Sequence, residues 1–140
     1  MIKNINKLLI IFFLLFSPAT SLEKNYFNEG KKLFEKKEYD KAKFKFEKDI
    51  VLNRKNELSY LFLAKIFNKK NTIDLEENNL NTVLLLNPQN EEAVYYLALL
   101  NIKKSNYKKA NELIETLVKI CKNFCSKKKD LNSKLNNISK

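Results

Sequence analysis

The sequence predicts an all-α protein built from repeated pairs of helices. Helix-forming residues dominate the 140-residue chain, which contains only two prolines and one glycine. No segment alternates apolar and polar residues as a strand does, and apolar residues instead recur at the helical spacing of three and four. The third observation is a period of 34 residues in the sequence itself. A chain of this length has room for one domain.

The period is clearest when the units start at Glu23, Glu57 and Glu91. The three units then align without a gap over residues 23–56, 57–90 and 91–124. Each unit has a bulky residue early in its first helix, a small residue one turn later, an apolar residue opening its second helix, and a large apolar residue within that helix. In the same order, these positions hold Tyr26, Tyr60 and Val94; Gly30, Ala64 and Ala98; Tyr39, Ile73 and Tyr107; and Phe46, Leu80 and Ile114.

This pattern resembles the tetratricopeptide repeat (TPR), a helix-turn-helix unit of about 34 residues. The resemblance implies a TPR helical solenoid of three repeats, in which the first helix of each unit is helix A and the second is helix B. A second small position in helix B holds Ala42 and Ala110, but the middle unit has Glu76 there. Pro88 follows helix B only in the middle unit. These two departures leave the predicted fold class unchanged.

Residues 125–140 are expected to form a capping helix. Leu131, Leu135 and Ile138 recur at the helical spacing among lysines and asparagines, which gives one apolar face and one wet face. A terminal cap of this kind is needed because each repeat of a solenoid buries its apolar face only against its neighbours.

The first 21 residues have the layout of a secretory signal peptide. Lys3 and Lys7 precede an unbroken apolar run of nine residues, Leu8 to Phe16, and small residues follow it. The run is shorter than the roughly 20 residues that span a bilayer. Cleavage is expected after Ser21 or Ala19; an uncleaved N-terminal anchor is the alternative. The mature chain should then be secreted across the inner membrane into the periplasm, with no integral membrane segment.

The chain is basic, with 27 Lys and Arg residues against 16 Asp and Glu. A basic surface can attract acidic peptides, anionic lipid or nucleic acid. The alternative is a solvated helix face, and we favour it because Arg54 is the only arginine, whereas arginine is the better residue for bidentate phosphate and base contacts. We therefore expect a protein or peptide partner and no nucleic acid.

The TPR resemblance also implies a groove that binds a segment of a partner protein. In the family, five positions of each helix A line this groove. Apolar side chains and lysines alternate there, which suits a segment with large apolar side chains and a carboxylate. The predicted groove residues are Phe27, Lys31, Phe34, Leu61, Lys65, Lys69, Tyr95, Leu99 and Lys103. The family's lysine-and-asparagine clamp for chaperone C-termini is not reproduced, because Phe27 and Tyr95 stand where lysines are needed.

An alternative applies to the same surface. Phe27, Phe34 and Tyr95 would then pack between repeats or against the N-terminal segment, and they would not be available to a partner.

The two cysteines, Cys121 and Cys125, stand at the end of the last helix B. An even count in an exported chain predicts a disulfide. Free thiols, exchange with a partner, and a redox site are the alternatives, although redox cysteines usually lie at a helix N-terminus. A zinc site is nearly excluded, since the chain has no histidine and no further cysteine.

The sequence offers no basis for an enzyme. It contains no histidine, nucleophile elbow or glycine-rich phosphate loop, so we expect no catalysis, no cofactor and no metal. We predict an exported, non-catalytic TPR adaptor that binds a partner protein in the bacterial cell envelope. Two other functions remain open: an envelope thiol/disulfide helper that uses the cysteine pair, and a self-assembling structural solenoid. The oligomeric state is open as well.

Overall fold

A computed structural model describes residues 25–138 of the chain. The predicted signal peptide, residues 1–21, lies outside the described residues. All regular structure within the described residues is helical, which confirms the predicted class. The described helices are α1 (Tyr26–Glu35), α2 (Tyr39–Leu52), α3 (Glu57–Lys69), α4 (Ile73–Leu86), α5 (Glu91–Lys103), α6 (Tyr107–Ile120) and α7 (Lys127–Ile138).

The first six helices form three hairpins with the same internal turn. Helix A ends where one residue adopts a left-handed backbone conformation, with φ of 61° at Lys37, 55° at Asn71 and 59° at Ser105. These residues stand 34 positions apart, so the turn repeats with the sequence. A left-handed residue after a helix lets the chain reverse while nearby amides satisfy the last carbonyls. Each hairpin therefore has the same geometry without a glycine.

Asparagine side chains cap helices in the first and third hairpins, and Asn25 is such a cap at the start of α1. In α5, Asn90 accepts a hydrogen bond from the backbone amide of Ala93 at 2.9 Å, and in α6, Asn106 accepts one from Lys109 at 3.4 Å. Such caps satisfy one of the free amides at a helix start, and each stabilises a helix by about 1 kcal/mol. They help to fix where the helices begin.

The interior has two clusters of buried side chains. The first is centred on Phe46 and lies between α1, α2 and α3. The second extends from α3 to α7 and includes Leu80, Val94 and Leu117, with Leu131 of α7 fully buried against it. The core therefore continues from the middle repeat into the C-terminal cap.

Gly30 allows helix A and helix B of the first repeat to approach closely. A Cβ atom built on Gly30 would lie 2.8 Å from the Phe46 ring, which is closer than real contacts allow. At the equivalent positions of the other repeats, Ala64 and Ala98 are buried without this constraint. The single glycine is thus explained by the large aromatic ring that it faces.

Polar links join neighbouring repeats. The Lys70 amine pairs with Asp40, and the Lys104 amine lies 2.6 Å from Glu77.

Along residues 25–138, none of the helices is both long and apolar enough to cross a membrane.

Candidate partner-binding face

Helices α1, α3 and α5 lie in a row, as side-chain contacts between them show. The rings of Phe27 in α1 and Phe62 in α3 have their centroids 5.9 Å apart. Farther along the row, the Lys65 amine of α3 pairs with the Glu92 carboxylate of α5. We call the surface of these three helices that carries the predicted groove residues the A-helix face.

An aromatic cluster occupies the N-terminal part of the A-helix face. Phe62 is its centre: its ring stacks on Phe46 at 5.0 Å and meets Phe34 edge-on at 5.1 Å. Phe27 and Phe34 are half-buried in this cluster. Both residues thus pack between repeats, as the alternative required, while part of each side chain remains exposed to a partner.

Leu61 does not line a groove. Its side chain is 2% exposed and belongs to the main core, so the prediction that it contacts a partner is wrong. The next residue, Phe62, is half-buried and lies on the A-helix face instead. Neighbouring residues of a helix point about 100° apart, so a small rotation of α3 decides which of the two is accessible. Sequence reasoning missed Phe62 because both residues are large and apolar.

Lys65 stands in the middle of the A-helix face, and it is not a free cation. It pairs with Glu92, and its amine lies 4.9 Å from the Phe62 ring and 5.9 Å from the Tyr96 ring. A partner carboxylate would therefore have to compete with Glu92 for this amine.

Three other lysines give the face its positive charge. Lys31 and Lys69 are exposed and form no ion pair with another described residue. The exposed Lys103 amine donates a hydrogen bond to the Asn71 side chain at 3.0 Å, and since that acceptor is neutral, the charge is not compensated there. These three amines are the cations most available to an acidic segment.

The C-terminal part of the face is covered by α7. The Tyr95 hydroxyl donates a hydrogen bond to Asp130 at 2.8 Å, and the Phe124 ring lies 5.9 Å from the Tyr95 ring. Burial and this bond to a carboxylate raise the pKa of Tyr95 to about 12. Leu99 is half-buried against the main core. Of the predicted groove residues, Tyr95 thus contacts the capping helix and Leu99 packs against the main core.

Glu76, the middle repeat's departure from the small residue, is 1% exposed. The Asn68 amide donates to one of its carboxylate oxygens at 2.8 Å, and the other oxygen has no hydrogen-bond partner. Burial raises the pKa of Glu76, while the Asn68 bond and the charge of Lys103 oppose the rise. A buried acid therefore lies directly beside the A-helix face.

The cysteine pair lies just after α6. The two sulfur atoms of Cys121 and Cys125 are at bonding distance, 2.15 Å, with their Cα atoms 5.2 Å apart. Glu91 holds the loop between them by accepting hydrogen bonds from the backbone amides of Asn123 and Phe124 at 2.9 and 2.8 Å. The Phe124 amide is the main reason that the pKa of Glu91 is lowered. The loop is thus fixed to the start of α5.

A metal centre is absent from residues 25–138: no group of three or more Cys, Asp or Glu side chains there is arranged to hold a metal ion.

Stacked helical hairpins with a terminal cap define the molecule as an α-helical solenoid. Its fold is that of TPR domains, which confirms the resemblance seen in the sequence. The first TPR domain of Spaghetti (RPAP3), solved with the HSP90 peptide SRMEEVD, matches with a TM-score of 0.73 and 16% identity over 82% of this chain and 91% of that chain.

Two further solved structures have the same fold. The type III secretion chaperone SycD of Yersinia enterocolitica, in complex with a peptide of the translocator YopD, gives a TM-score of 0.73 and 14% identity over 83% of this chain and 91% of that chain. The TPR2B domain of yeast Sti1, in complex with pHsp70, gives a TM-score of 0.70 and 18% identity over 83% of this chain and 94% of that chain. No protein-family model and no curated protein matches the sequence.

Proposed function

We propose that the protein is a non-catalytic adaptor that binds an extended segment of a partner protein on the A-helix face. The observation that carries this proposal is the position of three partly exposed aromatic rings, Phe27, Phe34 and Phe62, on the same face as the unpaired amines of Lys31 and Lys69. Solved domains of this fold hold peptides of their partners, as the SycD complex does. The fitting segment has a large apolar side chain next to a carboxylate.

The cellular location is part of the same proposal. The signal-peptide pattern of residues 1–21 and the even cysteine count support export to the periplasm of a bacterial envelope. The partner would then be an envelope protein, because the mature chain meets no cytoplasmic one.

An in-cell crosslinking pull-down of the tagged full-length chain tests both parts. Mass spectrometry identifies the co-purifying proteins and the first residue of the recovered chain. We expect one or two enriched envelope proteins and a chain that starts at Leu22 or Thr20. A chain that retains Met1 and recovers cytoplasmic proteins would refute export.

Charge reversal locates the contact. The double variant Lys31→Glu/Lys69→Glu should reduce partner recovery at least tenfold, since it places two negative charges on the A-helix face. The control Lys36→Glu/Lys108→Glu makes the same change at exposed positions after α1 and in α6 and should leave recovery unchanged. Both variants alter only exposed side chains, so stability should change by no more than about 0.5 kcal/mol. Equal recovery with both would exclude the A-helix face as the binding surface.

A further inference from the structure

The ends of the B helices form one edge of the solenoid. The loop after α4 reaches the start of α3, where the Asn87 amide donates to Glu57 at 3.3 Å. The loop after α6 reaches the start of α5, where Glu91 accepts from the amides of Asn123 and Phe124. The C-terminal ends of α2, α4 and α6 therefore lie side by side. We call this surface the loop edge.

Large aliphatic side chains protrude from the loop edge. Leu52 is 73% exposed and Leu85 is 82% exposed, and Val51 and Leu86 stand beside them. Val51 and Leu85 occupy the same position in successive repeats, 34 residues apart, so the aliphatic residues form a row. Single exposed leucines are normal on protein surfaces, but a row of four on one edge indicates an interaction site.

The row continues into an apolar trough on the first repeat. The trough, of about 370 Å³, is lined by Tyr26, Phe44, Glu47, Lys48, Val51 and Leu52. The Lys48 amine lies 4.4 Å from the Phe44 ring, so the trough ends at a positive charge. Its Glu47 carboxylate is paired with Lys43 at 2.5 Å.

The charge around the aliphatic row is positive. Arg54 and Lys55 are exposed in the loop after α2 and pair with no other described residue. In the third repeat, Lys119 takes the position of Val51 and Leu85, and Lys122 takes that of Arg54. Both of these lysines are exposed.

Three carboxylates also lie at the loop edge, and each is turned toward polar groups of the protein itself. Asp49 accepts hydrogen bonds from Asn56 and Ser59, both at 2.6 Å. Glu57 and Glu91 accept from Asn87 and from the loop amides of the cysteine pair, as described above. These carboxylates keep their negative charge, and that of Glu91 lies near Lys122, but each is bonded inward to the protein, whereas Arg54, Lys55 and Lys119 are exposed.

We propose that the loop edge docks on an anionic membrane surface. The aliphatic row enters the boundary between head groups and acyl chains, and Arg54, Lys55, Lys119 and Lys122 contact anionic head groups. Apolar burial combined with attraction to anionic lipid is the general basis of peripheral membrane binding. The occupant is identified by charge, because a neutral protein partner would not need four cations around an apolar row. The A-helix face remains free for a partner in this arrangement.

A single tryptophan at the edge tests the proposal, since the natural chain contains none. The Leu85→Trp variant of the full-length chain is titrated with vesicles of phosphatidylglycerol and phosphatidylcholine in equal parts. We expect its emission to shift to the blue and to be quenched by brominated lipid. The control is Leu75→Trp, at an exposed position in the first turn of α4 on the opposite edge, which should show neither effect. Because the reporter reads its own position, vesicle binding through residues 1–24 gives no signal at position 85.

Charge variants separate the electrostatic contribution to membrane binding from the contribution of the aliphatic row. The double variant Arg54→Glu/Lys55→Glu is made in the Leu85→Trp background. It should need at least ten times more lipid for the half-maximal blue shift of the tryptophan emission. The same increase is expected when Leu85→Trp is titrated with vesicles of phosphatidylcholine alone. The control Lys36→Glu/Lys108→Glu reverses two exposed charges outside the loop edge and should have no effect.

Two results would overturn the proposal. One is a position-85 signal that is absent or equal on neutral and anionic vesicles. The other is a blue shift that rises with protein concentration without vesicles, which would assign the edge to contact between two copies of the chain.

Discussion

The two ends of the solenoid are stabilised by different means. The C-terminal end is covered: Leu131 of α7 is fully buried, Tyr95 is bonded to Asp130, and a cysteine pair closes the loop after α6. The N-terminal end has one small core cluster around Phe46, and Phe44 on the outer side of the same helix is 53% exposed. One end is thus held by a cap and a covalent link, and the other by packing of aromatic rings.

This difference separates the part of the solenoid that is most strongly stabilised from the part that exposes the most apolar surface. In such a fold each repeat contacts only its neighbours, so the stability of an end depends on what that end can bury. The covered end fixes α5 and α6, whereas the less covered end leaves Tyr26, Phe44, Val51 and Leu52 on the surface. The same repeat supplies Phe27 and Phe34 to the A-helix face. Both surfaces that we assign to binding therefore have their aromatic residues at the end with the smaller core.

The largest effect is expected at the N-terminal end. Phe46→Ala should lower the free energy of unfolding by about 3–5 kcal/mol, because it empties the centre of the small cluster. Phe44→Ala, two residues away on the same helix, should cost no more than about 0.5 kcal/mol. Urea denaturation followed by circular dichroism measures both.

Hydrogen exchange shows where the Phe46→Ala loss falls. Amides of α1 and α2 should lose protection while those of α5 and α6 keep it, since the two clusters are separate. An equal loss in every helix would mean that the repeats unfold as one unit and that the ends are not independent.

The second-largest loss of stability is expected at the C-terminal end, from removal of the cysteine pair. Cys121→Ser/Cys125→Ser should lower the free energy of unfolding by about 2 kcal/mol, the low value that a short closed loop implies. Thermal melts with and without a reducing agent measure it: reduced wild type should melt as the double variant does, and the reductant should not affect the variant. Binding of the partner should persist, because the pair lies away from Phe27, Lys31 and Lys69. Loss of binding in the double variant would instead favour a thiol/disulfide function.

The fold could be predicted from the sequence because the signals for helix packing are local. Small residues at Gly30, Ala64 and Ala98 are required wherever two helices cross, and they recur with the repeat. The capping helix could be predicted for the same reason, from apolar residues at helical spacing that include the buried Leu131.

The details of the candidate site depended on geometry that the sequence does not express. Leu61 and Phe62 are both large and apolar. The rotation of α3 about its axis decides that Leu61 is buried and that Phe62 is partly exposed. The pairing of Lys65 with Glu92 depends on how close α3 and α5 lie. The sequence places Tyr95 in helix A of the third repeat, but its contact with Asp130 depends on where α7 packs.

The smallest effect is expected in the middle repeat, between the two ends. Glu76→Gln keeps the acceptor for the Asn68 amide and removes the charge from a buried site. At pH 8 the variant should be more stable than the wild type by about 1 kcal/mol, because it removes the charge from a buried carboxyl group that accepts only one hydrogen bond. The exposed Glu115→Gln serves as control and should change the stability little.

The pH dependence of this gain tests its cause. The pKa of Glu76 is raised in the folded protein above its ordinary value of 4.5, so the folded state binds this proton more tightly than the unfolded chain does. The stability that the protonated Glu76 contributes is therefore fully present below pH 4.5 and is lost as the pH rises through the folded pKa. The advantage of Glu76→Gln should accordingly grow from pH 4 to pH 8 in a series of thermal melts. A constant advantage over that range would show that the fold does not raise the pKa of Glu76, because the Asn68 bond and the charge of Lys103 then offset the burial.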